Sequence, residues 1–220
     1  MLNVLVLPDA AAVAVRAAAI VAGHARAAVG ERGQFGFAVS GGRTPALMLA
    51  RLAHEDMPWS SSVLFQVDER IAPFGDPDRN LTQLRAHLPA KARVNPMPVE
   101  DADLEAAAAR YGAALPERFD VVHLGLGADG HTASLVPDDP VLDVTDRSVA
   151  LTAPYMGRRR MTLTYPVNRA RHVLWVATGE DKAHALARLV AGDGSIPAGR
   201  VAPTRALVLA DAAAAGTLSR

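Results

Sequence analysis

Apolar runs that alternate with helical patterns are the feature that most limits what this chain can fold into. Short runs of β-branched and other apolar residues predict eight strands, at Val4 to Leu7, Phe35 to Val39, Val63 to Val67, Val121 to Leu126, Val149 to Thr152, Met161 to Thr164, Val173 to Thr178 and Ala206 to Leu209. Longer segments predict five helices, at Asp9 to Val29, Pro45 to His54, Asn80 to His87, Asp103 to Leu115 and Asp181 to Ala191. Because right-handed crossovers join elements that alternate in this way, we predict an α/β fold with a mainly parallel sheet and helices on both faces.

The segment from Pro137 to Arg160 departs from this alternation. It carries the cluster PDDPVLD and then closely spaced strands, which predicts a small antiparallel excursion from the main sheet. The sequence shows no internal repeat, low-complexity linker or break in composition. A length of 220 residues fits one globular unit, so we expect a single domain over residues 1–220.

Composition narrows the classes of partner and chemistry. Hydrophobic residues make up 50% of the chain and charged residues 21%, which is typical of a packed protein rather than a disordered one. The 23 basic and 23 acidic residues balance, so we expect neither a nucleic acid nor a membrane as partner, and any anion site must be local. The chain has no cysteine, which excludes disulfides, thiolate catalysis and zinc–thiolate sites.

The N-terminal segment is apolar enough to raise the question of a signal peptide. Asp9, Arg16 and His24 interrupt it, however, and no basic region precedes the apolar run. We therefore predict a short strand followed by an alanine-rich helix, and no other stretch approaches the roughly 20 apolar residues of a membrane span. The expected location is the cytoplasm.

The segment VSGGRTP joins a predicted strand to a predicted helix. Ser40, Gly41 and Gly42 allow the backbone to approach an anion, and Thr44 can cap the helix. The N–H groups at the helix start, together with the Arg43 guanidinium, would then face a phosphate. The alternative is an ordinary capped turn, since glycine-rich turns are common. The segment matches neither the P-loop nor the dinucleotide fingerprint.

A second polar group, QVDER, ends another apolar strand, where α/β folds place ligand residues. Asp68 could hold substrate hydroxyls or orient a cation, and Arg70 could meet an anionic group. Glu69 is expected to point away, because neighbouring side chains alternate in an extended segment. Three charges in a row also occur in solvated loops that have no function, so this reading stays open.

The strongest segment is DVVHLGLGADGHTASLVP, in which a strand leads into three glycines. Asp129 and His131 emerge together where the strand ends. A histidine titrates near neutral pH, so His131 can take a proton from water and return it to a leaving oxygen, while a carboxylate fixes its tautomer. Its alternative is a histidine at a helix start that Thr132 caps. His123, inside the apolar strand, is expected to be a core histidine.

Two further cations stand next to predicted strands. In GRRRMTLT, Arg160 borders the apolar run and is the arginine expected to point inward, although a basic triplet is usually solvated. Lys182 stands at a predicted helix start, where the helix dipole disfavours a cation. A bound anion would relieve that mismatch.

In this order, VSGGRTP, FQVDERIAP with Asn80 following, LGLGADGHTASLVP, RRRMTLTYPVN and TGEDKAHAL resemble the 6-phosphogluconolactonase family over nearly the whole chain. The resemblance implies a modified Rossmann-like fold of the glucosamine-6-phosphate deaminase and ribose-5-phosphate isomerase group. It implies His131 as general base and then acid, Asp129 as the residue that positions His131 or the substrate, and Arg70 as the group that stabilises developing negative charge or holds the acyl end.

By the same resemblance, the phosphate of a sugar lactone would lie against Ser40 to Thr44. Arg43, Arg160 and Lys182 would supply positive charge, and Asp68 would contact the substrate. No metal and no cofactor is implied, and the small-molecule substrate is the expected partner of a monomer or small homo-oligomer.

Two alternatives remain. Glucosamine-6-phosphate deaminases and related isomerases share the motif GxGxDGH, but they continue with a pattern like HIAFNEP and carry DEY, whereas this chain has HTASLVP and DER. The acid that assists ring opening is therefore missing, which favours the lactonase. A non-enzymatic sugar-phosphate sensor is the weaker alternative, because the sequence shows no helix-turn-helix region or basic arm.

Overall fold

This computed structural model describes residues 2–165, 170–201 and 205–218, which contain ten strands and five helices. The strands are β1 (Asn3–Leu7), β2 (Phe35–Val39), β3 (Ser62–Gln66), β4 (Asp68–Arg70), β5 (Arg93–Asn95), β6 (Phe119–Gly125), β7 (Val149–Leu151), β8 (Arg160–Leu163), β9 (Ala170–Ala177) and β10 (Ala206–Asp211). The helices are α1 (Ala10–Arg32), α2 (Arg43–Leu52), α3 (Asn80–His87), α4 (Leu104–Ala113) and α5 (Ala183–Val190).

Seven of these strands form one parallel sheet in the order β1-β10-β9-β6-β2-β3-β5. The first strand lies beside the last, with Asn3 opposite Leu207. After β2, strands β3 and β5 are added to the sheet on one side of β2. The chain then crosses to the other side of β2, where β6, β9 and β10 are added in turn. The strand order therefore reverses between β2 and β6, and such a switch point is where open α/β sheets bind ligands.

The parallel sheet is buried on both faces, which explains its near-continuous apolar strands. Within β6, Val121 packs against α1 and α2, and the next residue, Val122, packs on the opposite face with α4 and α5. On β9, Leu174 and Trp175 likewise pack on opposite faces of the sheet. The α/β fold with helices on both faces is confirmed.

A second, antiparallel sheet has the order β4-β8-β7. It contains the predicted excursion, because β7 and β8 follow the segment that begins at Pro137. Its third strand, β4, lies in QVDER, which the sequence analysis treated as the polar end of a strand. β5 is also absent from the predicted strands. Both have three residues, too few for a periodic pattern.

Helix α1 is long and apolar enough to cross a membrane by length and composition alone, and it is the only helix among the described ranges of which this is true. Its packing is that of a core helix. Eight residues, from Val13 to Ala28, are buried on one side, and they contact β2, β6 and β10. The strand and alanine-rich helix that the N-terminal sequence predicts are both present.

Candidate active site

A cleft of about 440 Å³ opens at the carboxyl ends of β2, β6 and β9. Its walls come from the loop between β2 and α2, the end of β6, the start of α5 and two strands of the small sheet. The cleft therefore lies at the switch point of the parallel sheet. Residues far apart in sequence meet there because parallel strands bring their carboxyl ends to one edge.

His131 and Asp129 form a hydrogen-bonded pair in the turn after β6. The Nδ1 atom of His131 lies 2.6 Å from Oδ1 of Asp129, and the same oxygen accepts the His131 backbone N–H at 3.1 Å. Because a carboxylate only accepts, the neutral ring carries its proton on Nδ1 and leaves Nε2 free to take one. Partial burial raises the pKa of Asp129, but the hydrogen bonds and charge of His131 outweigh it and hold that pKa below its usual value.

The turn that carries this pair leaves no room for a side chain at Gly127. A Cβ at Gly127 would lie 2.1 Å from Nδ1 of His131 and 2.6 Å from Oδ1 of Asp129. The Gly127 N–H donates to the His131 carbonyl at 2.8 Å, which closes the turn. Thr132 does not cap a helix, since its hydroxyl donates to the Gly125 carbonyl at 2.8 Å and no helix begins there. The alternative of a helix-start histidine is wrong.

The loop from Ser40 to Thr44 leads directly into α2, as the sequence predicts. Gly42, with a φ of 116°, is the residue before the helix and no side chain caps it. The expected cap from Thr44 is wrong, because Thr44 lies inside the first turn and its hydroxyl is 2.7 Å from that of Thr178. Among the described residues, the N–H groups of Arg43 and Thr44 meet no acceptor, so they are available to an anion.

His123 supports this loop from beneath. The ring is fully buried, and its Nδ1 lies 3.4 Å from the Ser40 N–H, while the Ser40 hydroxyl donates to the His123 carbonyl at 3.1 Å. Its Nε2 has no partner within the described part of the chain. Burial lowers the pKa of His123 to about 4, so the ring is neutral at pH 7. The expected core histidine is confirmed, with only one ring nitrogen paired.

Asp68 is buried in the floor of the cleft and both of its carboxylate oxygens have partners. The Ser134 hydroxyl donates to Oδ2 at 2.6 Å, and the Asn80 amide donates to Oδ1 at 3.2 Å. Burial raises the pKa of Asp68, and the Ser134 hydrogen bond with the charges of Arg160 and Arg70 opposes that shift. Asp68 therefore connects β4 to the segment after β6, through Ser134, and to the start of α3, through Asn80, in addition to facing the cleft.

Glu69 points away from the cleft, as expected, but it is buried rather than solvated. Its two carboxylate oxygens accept the N–H groups of Asn80 and Leu81, each at 2.8 Å. A distant carboxylate thus caps α3, because the residue before the helix, Arg79, makes no side-chain cap. The reading of DER as a solvated loop is wrong.

Arg70 reaches the cleft from β4 and is fixed by two acceptors. Its Nη1 atom donates to the Asp78 carbonyl at 2.6 Å and to the Asn80 Oδ1 at 2.7 Å. Across the cleft, Lys182 is paired with Asp181 at 3.0 Å. Arg160 is buried at the start of β8, pointing inward as expected, and Arg43 lies at the start of α2. A neutral chain thus concentrates four cations around one cleft.

The cleft brings together every residue that the sequence analysis proposed for the site except Asp129, which contacts His131 from behind. The roles of these residues stay predictions. Sequence reasoning missed Ser134, Thr178 and Tyr155, which contact the proposed residues directly. A single residue with a hydroxyl group forms no recognisable sequence pattern, so these three residues are identified only from their positions in the fold. Over the described ranges, no group of three His, Asp or Glu side chains is placed to hold a metal ion.

The family profile described as glucosamine-6-phosphate isomerases/6-phosphogluconolactonase matches residues 8–210 of this chain. Among curated proteins, the 6-phosphogluconolactonase of Streptomyces coelicolor is 38% identical over 219 residues, which covers 86% of this chain and 84% of that protein.

Solved structures share the fold. The crystal structure of 6-phosphogluconolactonase from Leishmania guyanensis has a TM-score of 0.90 at 21% identity and covers all of both chains. A monomeric glucosamine-6-phosphate deaminase has a TM-score of 0.85 at 18% identity, covering 98% of this chain and 99% of that one. At these identities the similarity shows the fold alone, and the fold is shared by proteins of both activities.

Proposed function

Because the chain belongs to the glucosamine-6-phosphate isomerase/6-phosphogluconolactonase family, we propose that it hydrolyses 6-phospho-D-glucono-1,5-lactone to 6-phospho-D-gluconate, in the oxidative pentose phosphate pathway. The observation that carries the proposal is the His131–Asp129 pair at the edge of a cleft with four cations. A base with a fixed tautomer and a surplus of positive charge are what hydrolysis of an anionic lactone requires.

The chemistry begins with water. The free Nε2 of His131 takes a proton from a water molecule as its oxygen attacks the lactone carbonyl carbon. The carbonyl π electrons move to oxygen and give a tetrahedral oxyanion, which the Arg70 guanidinium stabilises. When the carbonyl re-forms, the bond to the ring oxygen breaks, and that oxygen takes the proton from His131. The carboxylic acid product then ionises and releases one proton to solution.

Asp129 acts on His131 and not on the substrate. Its negative charge stabilises the imidazolium that forms during attack, and its two hydrogen bonds hold the ring orientation. The lowered pKa of Asp129 keeps this carboxylate charged throughout the neutral range. The pair needs no metal for this step, so the proposed hydrolysis is metal-independent and survives treatment with a chelator.

The phosphate of the substrate binds against the loop between β2 and α2. The free N–H groups of Arg43 and Thr44 and the positive end of α2 supply donors. The side chains of Arg43, Arg160 and Lys182 line the cleft and add positive charge. Ser40, Gly41 and Gly42 line this part of the cleft, and Asp68 faces the sugar ring.

A deaminase is the second candidate, since its fold is the same. In the deaminase pattern HIAFNEP, the acid that assists ring opening stands five residues after the histidine, and this chain has Val136 at that position. We therefore expect no release of ammonia from glucosamine 6-phosphate.

A direct assay tests the proposal. Freshly generated lactone is supplied to the purified protein, and acid release is followed against the spontaneous rate. We expect strong acceleration that a chelator does not change and that His131→Asn lowers by about 10²-fold or more. His54→Asn, at an exposed histidine after α2, should leave the rate unchanged. A wild-type rate equal to the spontaneous one would contradict the proposal.

We further propose that residues 1–220 form one domain, which functions in the cytoplasm as a monomer or small homo-oligomer without nucleic acid or membrane. One apolar cluster contains residues of both sheets, including Met161 and Trp175, which supports a common core. Two separate unfolding transitions would contradict the single domain. Light scattering tests the oligomeric state and the absence of bound nucleic acid, and cell fractionation tests the location and the absence of membrane association.

A further inference from the structure

The hairpin turn between β7 and β8 brings one aromatic side chain against the His131–Asp129 pair. Tyr155 and Arg158 pair across this turn through hydrogen bonds of 3.0 and 3.3 Å. Its two central residues, Met156 and Gly157, have φ angles of 50° and 80°, the backbone pattern of a type I′ turn. The turn thus has a defined shape and not the variable shape of a long loop.

Arg158 ties this turn to the segment before α3. Its guanidinium lies 2.9 Å from Oδ2 of Asp76 and 3.6 Å from Oδ2 of Asp78. The Asp78 N–H and then the Arg158 guanidinium lower the pKa of Asp76, so that carboxylate is charged at neutral pH. The Ile71 N–H also donates to the Arg159 carbonyl at 3.1 Å. Two independent contacts therefore hold the hairpin in place.

From this turn Tyr155 contacts three groups that the proposed reaction uses. Its hydroxyl lies 3.4 Å from Oδ2 of Asp129, a long hydrogen bond, and its ring meets the His131 ring edge-on with centroids 5.8 Å apart. The guanidinium carbon of Arg160 lies 5.0 Å from the centre of the Tyr155 ring. In the described structure, Tyr155 is the one hydrogen-bond partner of Oδ2, because His131 uses only Oδ1.

We propose that Tyr155 is a positioning residue for the proposed hydrolysis: its hydroxyl holds Asp129 toward His131, and its ring supports Arg160. This inference rests on the proposed function. Burial and the Asp129 carboxylate raise the pKa of Tyr155, so the phenol keeps its proton and donates. Tyr155 does not line the cleft, and it acts only through its neighbours.

The hydroxyl and the ring make separate contributions. Loss of the hydroxyl removes the hydrogen bond that holds Asp129 toward His131, so the carboxylate turns partly away from the ring and stabilises the imidazolium less. Loss of the ring removes the cation–π partner of Arg160 and one wall of His131. Tyr155→Phe should thus lower kcat about 3- to 10-fold with KM within about twofold, as expected for a weak charge-assisted hydrogen bond. Tyr155→Leu should lower kcat further and raise KM.

The experiment combines these kinetics with a measurement that needs no substrate. The ¹⁵N signals of the imidazole rings are followed by NMR from pH 5 to 9, and His131 is assigned with His131→Asn. In Tyr155→Phe the titration midpoint of His131 should move downward by a few tenths of a pH unit, and the acidic limb of kcat/KM should move with it. The other charged groups around the cleft, Arg43, Arg70, Arg160, Lys182, Asp68 and Asp181, are the same in both proteins.

Tyr165→Phe is the matched control. Tyr165 also has an arginine over its ring, with Arg200 at 4.7 Å, and a hydroxyl that donates to a carbonyl, that of Pro197, at 3.1 Å. It lies outside the cleft, so this variant should keep the His131 midpoint and kcat. A His131 midpoint in Tyr155→Phe equal to that of the wild type overturns the proposal. That result is distinct from failure of the proposed function, which appears as a wild type without lactonase activity.

Discussion

The side chain of Asn80 lies directly beneath Gly41, so that the start of α3 supports the loop that leads into α2. A Cβ at Gly41 would fall 2.0 Å from the Asn80 Oδ1, the same oxygen that accepts a hydrogen bond from Arg70 at 2.7 Å. The side-chain amide of Asn80 thus contacts both the proposed phosphate-binding loop and Arg70, the residue proposed to stabilise the oxyanion. A displacement of Asn80 changes both.

Gly41→Ala tests this connection. The added methyl must displace the Asn80 amide and release Arg70, so both kcat and the affinity for substrate should fall, together by about 10²-fold in kcat/KM. Steady-state kinetics on the lactone measures the change. Gly23→Ala is the control, because a Cβ at Gly23 in α1 meets nothing within 4 Å. A kcat/KM of Gly41→Ala within twofold of the wild type would show that the close approach is unimportant.

Asp129→Asn tests the charge behind His131. The amide is nearly the same size as the carboxylate but does not stabilise the imidazolium, so kcat should fall by about 10²-fold or more while KM changes little. Asp138→Asn is matched to it, since Asp138 is an exposed residue with a φ of 62°, a conformation that asparagine tolerates. Equal kcat values for Asp129→Asn and the wild type would exclude a catalytic role for the carboxylate.

Ser134→Ala tests the buried network below the cleft. The substitution removes the 2.6 Å donor of Asp68, and a buried carboxylate that loses a partner destabilises the fold. We expect the free energy of unfolding to fall by about 1 to 3 kcal/mol in urea denaturation. Ser60→Ala, at an exposed position, should change it by less than about 0.5 kcal/mol. Equal effects of the two substitutions would show that the Asp68 contact contributes no stability.

The buried ring of His123 predicts a pH dependence of stability. Its pKa is about 4 in the folded protein and about 6.5 when unfolded. Between these values the unfolded chain binds more protons, so the free energy of unfolding falls as the pH drops from about 6.5 to 4, by up to about 3 kcal/mol. His123→Gln has no such group, and its stability should fall less over the same range. Parallel stability curves for the two proteins would contradict this.

The elements with a clear apolar pattern were predictable, and the two short strands β4 and β5 were not. Strand β2 was predicted with its observed limits, as was α3, because each has a clear apolar pattern or a clear boundary. Strand β4 was not predicted, because its charged residues are buried only through partners that lie elsewhere in the fold. Glu69 accepts hydrogen bonds from the Asn80 and Leu81 N–H groups. No pattern in the local sequence predicts that so distant a residue caps the helix.

In the candidate site, too, some residues were predictable from the sequence and others were not. Glycine spacing, with a histidine after an apolar strand, was enough to single out His131 and Asp129. The contacts of Ser134 and Tyr155 were not predictable, since each arises from a separate chain segment that the small sheet brings into place. Thr44 shows the opposite error, because a residue type suited to capping lies two positions beyond Gly42, the residue that precedes α2.

The pairing of β1 with β10 has a consequence for synthesis of the chain. Asn3 leaves the ribosome about 200 residues before its partner Leu207, a delay of roughly 10 to 40 s at 5–20 residues per second. Throughout that interval β1 lacks its described neighbour in the sheet and exposes apolar side chains. Its length of five residues limits how firmly another nascent chain can pair with it. The parallel sheet is thus complete only when β10, the last of the described strands, pairs with β1.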